Sequence, residues 1–155
     1  MLILLIIKST VMAVFKYKTE IENFISLGIA LPRLDEPNDK VAYRYIFKDN
    51  PQKNHIPAFI KKPQRALTEI ENSNPSTSGY ALSCYEREDK AKEQFAKLEA
   101  NFKKIRKSIG DSLSSGTLTN ADGLISIADA SSTHFDLYEF CECDLNRTFK
   151  LQCAL

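Results

Sequence analysis

Between Glu86 and Gly110 the chain carries one apolar stripe that constrains everything around it. Ala91, Phe95, Leu98, Phe102, Ile105 and Ile109 recur at alternating spacings of four and three. That repeat brings side chains onto one face of an α-helix. Glu86, Glu88 and Asp89 stand at its start, and Lys103, Lys104, Arg106 and Lys107 at its end, the order that complements a helix dipole. Gly110 follows as a stop. The spacing predicts one long amphipathic helix over residues 87–109. A helix of that length must lay its stripe on a partner surface, and the segments on both sides of it read as strands, so the expected partner is a sheet.

The strands are legible from alternation. In residues 41–48, Val41, Tyr43, Tyr45 and Phe47 point one way, and Ala42, Arg44, Ile46 and Lys48 the other. GYALSCY (79–85), HFDLYEF (134–140) and NRTFKLQCA (146–154) also read as strands, and Asp122-Gly123 marks a turn. Thr19, the stripe Ile21, Phe24 and Ile25, and then Gly28 give a short helix over 19–27. Pro63 opens another from about 64 to 71. SNPSTSG, before the strand at 79, is a loop by composition. The order is not a regular strand–helix–strand alternation, so the expected class is α+β. We expect a single compact domain, mainly antiparallel sheet, packed by the long helix and a short N-terminal helix. A length of 155 residues fits one domain with an adequate core.

Met1–Ile7 reads MLILLII. It is too short to span a bilayer, which takes about 20 apolar residues, and it lacks the basic start of a secretion signal. We read residues 1–11 as an N-terminal extension, with Met12 an alternative start and 12–155 the domain. A buried strand is the other reading of the run. Cys141 and Cys143 lie two apart, on one face of a strand, and are badly placed to bond each other. With Cys84 and Cys153 they are expected as reduced thiols in a bacterial cytoplasm, with no membrane association. A lone CxC without a second knuckle does not make a zinc site, and Leu118 occupies the first ligand position of any calcium loop at Asn120–Gly123. No metal and no cofactor are expected.

Charge is nearly balanced, with 21 Lys and Arg against 20 Asp and Glu, and gives no global attraction to polyanions. Its distribution is uneven. Lys40, Arg44, Lys48, Lys53, Lys61, Lys62 and Arg65 face one acid, Asp49, between residues 40 and 65, with Tyr43, Tyr45, His55 and Phe59 interleaved. From Ser108 to Asn146 there is no Lys or Arg, and there are seven carboxylates. Either the two segments neutralise each other in the fold, or the basic one is a binding surface. For the second case the candidate ligand-binding residues are Arg44, Tyr43, Tyr45, Lys61, Lys62 and Arg65, meeting a protein partner or a small anionic ligand. Basic groups among aromatics also suit nucleic acid, so an accessory role on nucleic acid is an alternative.

No nucleophile elbow and no glycine-rich phosphate loop occurs. Val41-Ala42-Tyr43-Arg44 on an early strand, Ser78-Gly79-Tyr80-Ala81-Leu82-Ser83 on a strand entering a helix, and a late strand with Tyr138-Glu139 follow one another in order. In that order the chain resembles mono-ADP-ribosyltransferases of the Arg–Ser–Glu type. The resemblance implies NAD as cofactor and three catalytic residues: Arg44 to anchor the dinucleotide, Ser83 to shape the pocket and Glu139 to stabilise an oxocarbenium-like ribose. It departs from the family pattern where Ser76-Thr77-Ser78 precedes the strand and where Leu137 replaces a paired acid. More loosely, the chain resembles small uncharacterised bacterial proteins with a GYALS strand, a long helix and an HFDLYE strand. That likeness implies a compact domain and no activity. The leading expectation is a binding or accessory protein, with ADP-ribosyl transfer or NAD cleavage as the enzymatic alternative.

Overall fold

The computed structural model describes residues 5–8, 11–72 and 74–155. The chain opens with two paired strands, β1 (Leu5–Lys8) and β2 (Val11–Val14), in antiparallel register from Leu5 opposite Val14 to Lys8 opposite Val11. The described part of the expected extension therefore forms β1 and the first residue of β2, and residues 1–4, 9 and 10 lie outside the described residues. Helix α1 (Lys18–Ser26) buries Ile21 and Phe24, as the stripe requires. Strands β3 (Leu34–Asp35) and β4 (Lys40–Ile46) follow, then helices α2 (Ala58–Lys61) and α3 (Pro63–Glu71). Pro63 begins α3, where its missing N–H costs no helical bond.

The segment read as a strand over 79–85 divides in two. Thr77–Tyr80 is a 3-10 turn held by the Ser76 side chain, and only β5 (Leu82–Tyr85) is extended. The long helix divides as well. Helix α4 (Glu88–Asn101) buries Ala91 and Phe95 and then stops, and α5 (Ile105–Ser108) is a separate turn. Asn101 Nδ2 donates to the Lys97 carbonyl at 2.8 Å, satisfying one of the last-turn acceptors. Phe102 takes an extended backbone and is 58% exposed. The break has an energetic reason. The surface under the stripe ends after Phe95, and turning the chain lets Arg106 fold back to pair with Glu99 and lie 5.3 Å from the Phe95 ring centroid. Gly110 then sits at φ +135°, where a Cβ would lie 2.4 Å from the Ile46 carbonyl oxygen, so the position demands glycine.

Strands β6 (Ser112–Leu118), β7 (Gly123–Ser126) and β8 (His134–Glu139) complete most of the sheet. The last segment is not one strand from 146. Asp144 caps a turn of helix, α6 (Leu145–Thr148), by accepting from the Arg147 N–H at 3.3 Å, and only β9 (Lys150–Ala154) is extended. The main sheet has seven antiparallel strands in the order β3-β7-β8-β5-β4-β6-β9. This is an α+β domain, as the element order predicted.

Register sorts the side chains. Arg44 lies opposite Ser114, Leu82 opposite Leu137 and Cys84 opposite Phe135. One face therefore carries Ala42, Arg44, Leu82, Cys84, Phe135 and Leu137, and Leu145 and Phe149 close over this core. The other face carries Tyr45, Tyr85 and Leu113 beneath α4, and Tyr138 and Leu124 beneath α1, α2 and α3. Two helical packs thus sit side by side on one face. Among the described residues no helix is long and apolar enough to cross a membrane.

Candidate functional site

Between the two helical packs the sheet itself opens. β4 pairs with β6 along seven residues but meets β5 only at Tyr43 opposite Tyr85. Beyond that pair the two strands diverge. Arg44, the next residue of β4, fills the divergence. Its Nη1 donates to the Ser83 carbonyl, and its Nε donates to His55 Nδ1 at 2.9 Å. Arg44 is only 8% exposed, so it is a structural cation inside the sheet rather than a surface charge. His55 is positioned by a left-handed backbone at φ +60° and by its ring, 5.3 Å from that of Phe149. Because Nδ1 accepts from Arg44, the imidazole proton resides on Nε2. Burial and the Arg44 charge push the imidazole pKa down to about 3, so His55 stays neutral and brings no counter-charge to the guanidinium.

That charge borders a cavity of about 320 Å³, large enough for a small ligand. Its walls are Arg44, Tyr45, Ser83 and Tyr85 from the sheet, Lys61, Lys62 and Arg65 from the α2–α3 corner, and Leu98 and Ile109 from the α4–α5 end. Among the described residues no carboxylate lines it. Lys61 is depressed below its ordinary value by partial burial and by the Arg44 charge. Among the described residues Lys61, Lys62 and Arg65 make no ion pair. The tyrosine hydroxyls are held protonated by burial, with Tyr45 donating to the Ala91 carbonyl at 2.6 Å. Their rings, 5.5 Å apart, give the cavity its apolar floor. The arrangement is a concave cluster in which Arg44 is buried and Lys61, Lys62 and Arg65 are exposed at the rim, and such a cluster stabilises an anion.

Of the six residues expected to bind ligand, Arg44, Tyr45, Lys61, Lys62 and Arg65 line this cavity. Tyr43 does not. It stands where β4 and β5 are still paired, so the sheet is closed there. Of the remaining basic residues, Lys40 pairs with Glu86, and Lys53 lies over the Phe47 ring, which Lys61 Nζ also approaches at 5.8 Å from the rim of the cavity. No ion pair joins the basic segment to the carboxylates of 108–146 among the described residues, so the two segments do not neutralise each other by contact.

The three residues of the transferase resemblance do not meet in one cleft. Ser83 lies opposite Asp136, whereas Glu139 shares the strand face of Leu137, so Ser83 and Glu139 point to opposite sides of the sheet. Glu139 is 3% exposed, with Oε2 3.6 Å from Lys16 Nζ and Oε1 without a hydrogen-bond partner. Burial raises its pKa against the pull of Lys16 and Arg44. Ser83 therefore belongs to the basic cavity and Glu139 to the interior behind it. The cysteines are unbonded thiols, and among the described residues no group of three or more His, Cys, Asp or Glu is placed to hold a metal ion.

Sequence reasoning named His55 only as an interleaved aromatic. Its role as the acceptor behind Arg44 carries no local signature. Ser78, Leu98 and Ile109 were likewise invisible as cavity walls, since only the tertiary approach of α2–α3 to the α4–α5 end brings them together. Comparison with known protein families, curated proteins and solved structures finds no match.

Proposed function

We propose that this chain is a single-domain binding protein for a small phosphate-bearing anion, held in the cavity between β4 and β5. One observation carries the reading: Arg44, Lys61, Lys62 and Arg65 converge on one concavity that, among the described residues, no acid lines. Cations gathered in one concavity repel one another, and an anion that bridges them relieves that repulsion. Arg44 is fixed by two hydrogen bonds before any ligand arrives, so little ordering entropy is spent on binding there. The concave placement also favours a small ligand over a nucleic-acid strand, which needs cations spread along an exposed track. The NAD-dependent alternative lacks a carboxylate in the cavity to face a developing cation.

The test is calorimetric titration of the protein with inorganic phosphate and pyrophosphate at low ionic strength. Saturable binding is expected, weakening at least tenfold in the Lys61→Ala/Arg65→Ala double variant and steadily with added salt. No saturable binding of either probe by the wild-type protein up to about 10 mM would refute the proposal.

A further inference from the structure

The basic cavity does not end at Ser83. A second cavity, of about 290 Å³, shares Ala58, Arg65, Ser78 and Ser83 with it. Across that shared boundary the chemistry inverts. The far side carries Asp136, His134 and Glu69 in place of lysines. Asp136 is positioned by the sheet, directly opposite Ser83 in the β5–β8 register, and its backbone N–H is taken by the Ser126 hydroxyl at 2.9 Å. Its carboxylate stands 3.7 Å from His134 Nε2, and among the described residues no donor hydrogen-bonds to it. The His134 ring stands in a T-shaped arrangement with the Tyr85 ring, centroids 5.5 Å apart. The ridge between the cavities offers the hydroxyls of Ser78 and Ser83, which can donate or accept.

A cation-lined end thus adjoins an end that carries carboxylates. Resting on the anion-binding reading above, we infer that the ligand is a phosphorylated sugar or similar phosphorylated polyol. Its phosphate occupies the Arg44–Lys61–Lys62–Arg65 cavity, and its hydroxyls cross Ser83 to donate to Asp136. The carboxylates on the far side repel a second phosphate, so the site selects a monophosphate with an uncharged hydroxylated tail over a bisphosphate charged at both ends. The far cavity is lined mostly by small and polar side chains, with Phe59 its one large ring, which fits a sugar rather than a stacked base.

Titrating the full chain with inorganic phosphate, ribose, ribose 5-phosphate and ribose 1,5-bisphosphate tests this directly. Ribose 5-phosphate is expected to bind at least tenfold more tightly than phosphate, ribose alone weakly, and the bisphosphate no better than the monophosphate. Asp136→Asn should remove most of the tenfold advantage while leaving the phosphate affinity within about twofold, because it does not touch the basic cavity. Equal binding of phosphate and ribose 5-phosphate by the wild-type protein would overturn the sugar site and leave the anion site standing. An undiminished advantage in a folded Asp136→Asn variant would also overturn it. Failure of both phosphate and ribose 5-phosphate to bind would remove the anion site and the sugar site together. The wild-type comparison does not depend on the variant folding.

Discussion

His55 offers a sharp test of how the site is held together, because its neutrality makes folding depend on pH. The imidazole is 8% exposed and accepts from Arg44 Nε, and its pKa falls from 6.5 to about 3. A folded pKa below the unfolded one means that the unfolded chain takes up a proton first as the solution is acidified. The stability that His55 supports is thus present above pH 6.5 and is lost as pH falls toward 3. The slope is at most about 1.4 kcal/mol per pH unit for one proton, which gives about 2 kcal/mol between pH 7 and pH 5. His55→Asn isolates this contribution. Asparagine tolerates the left-handed backbone and can present an oxygen toward Arg44, yet it does not titrate. Urea unfolding followed by far-UV circular dichroism at both pH values gives four stabilities. The wild type is expected to lose about 2 kcal/mol more than His55→Asn on acidification, with all other titrating groups cancelling. An equal loss in both proteins would refute the buried, Arg44-bonded histidine.

Two further outcomes follow from the packing. Phe95→Ala should cost about 3–5 kcal/mol, since Phe95 is 3% exposed beneath Tyr45 and Arg106, whereas Phe102→Ala should cost less than about 1 kcal/mol. Equal costs in urea unfolding would mean that the helix does not break at Asn101. Glu139 has a raised carboxyl, so its charged form opposes folding above its folded pKa and its protonated form relieves that opposition as pH falls. Glu139→Gln is therefore expected to keep a melting temperature at pH 8 no lower than the wild type's, and a drop of several degrees would show that the Lys16 pair outweighs the burial.

What the sequence made legible was whatever depends on neighbours along the chain. The alternation of 41–48 located β4, and Thr19 to Gly28 located α1 within a residue at each end. The concentration of cations before residue 65 located most of the candidate site. The stripe through Phe102 misled because periodicity records which side chains could share a face, not where the opposing surface stops. The run after Asn146 misled for a related reason. Its alternation is real, but the Asp144 cap three residues before Arg147 is a helix start that outweighs it. Strand register alone keeps Tyr43 and Glu139 out of the basic cavity. Tyr43 sits on the paired side of the β4–β5 opening, and Glu139 sits one step out of phase with Asp136. Such facts belong to non-local pairing, and a one-residue slip would exchange them.

A sheet joined across its middle by a single residue pair behaves as two plates with a hinge. β3, β7, β8 and β5 form one plate, and β4, β6 and β9 the other. Within each plate the strands are joined by backbone ladders, with one register shift in β6–β9 between Leu113 and Ser114, but across the hinge the load passes through side chains: Arg44 to the Ser83 carbonyl, and the ring of Tyr45 against that of Tyr85. The two plates are natural units of partial opening, and amides flanking the hinge should exchange with solvent through a motion cheaper than global unfolding. An anion seated on Arg44 and on the α2–α3 corner would act as a rivet across that hinge, coupling occupancy of the cavity to the stiffness of the whole domain.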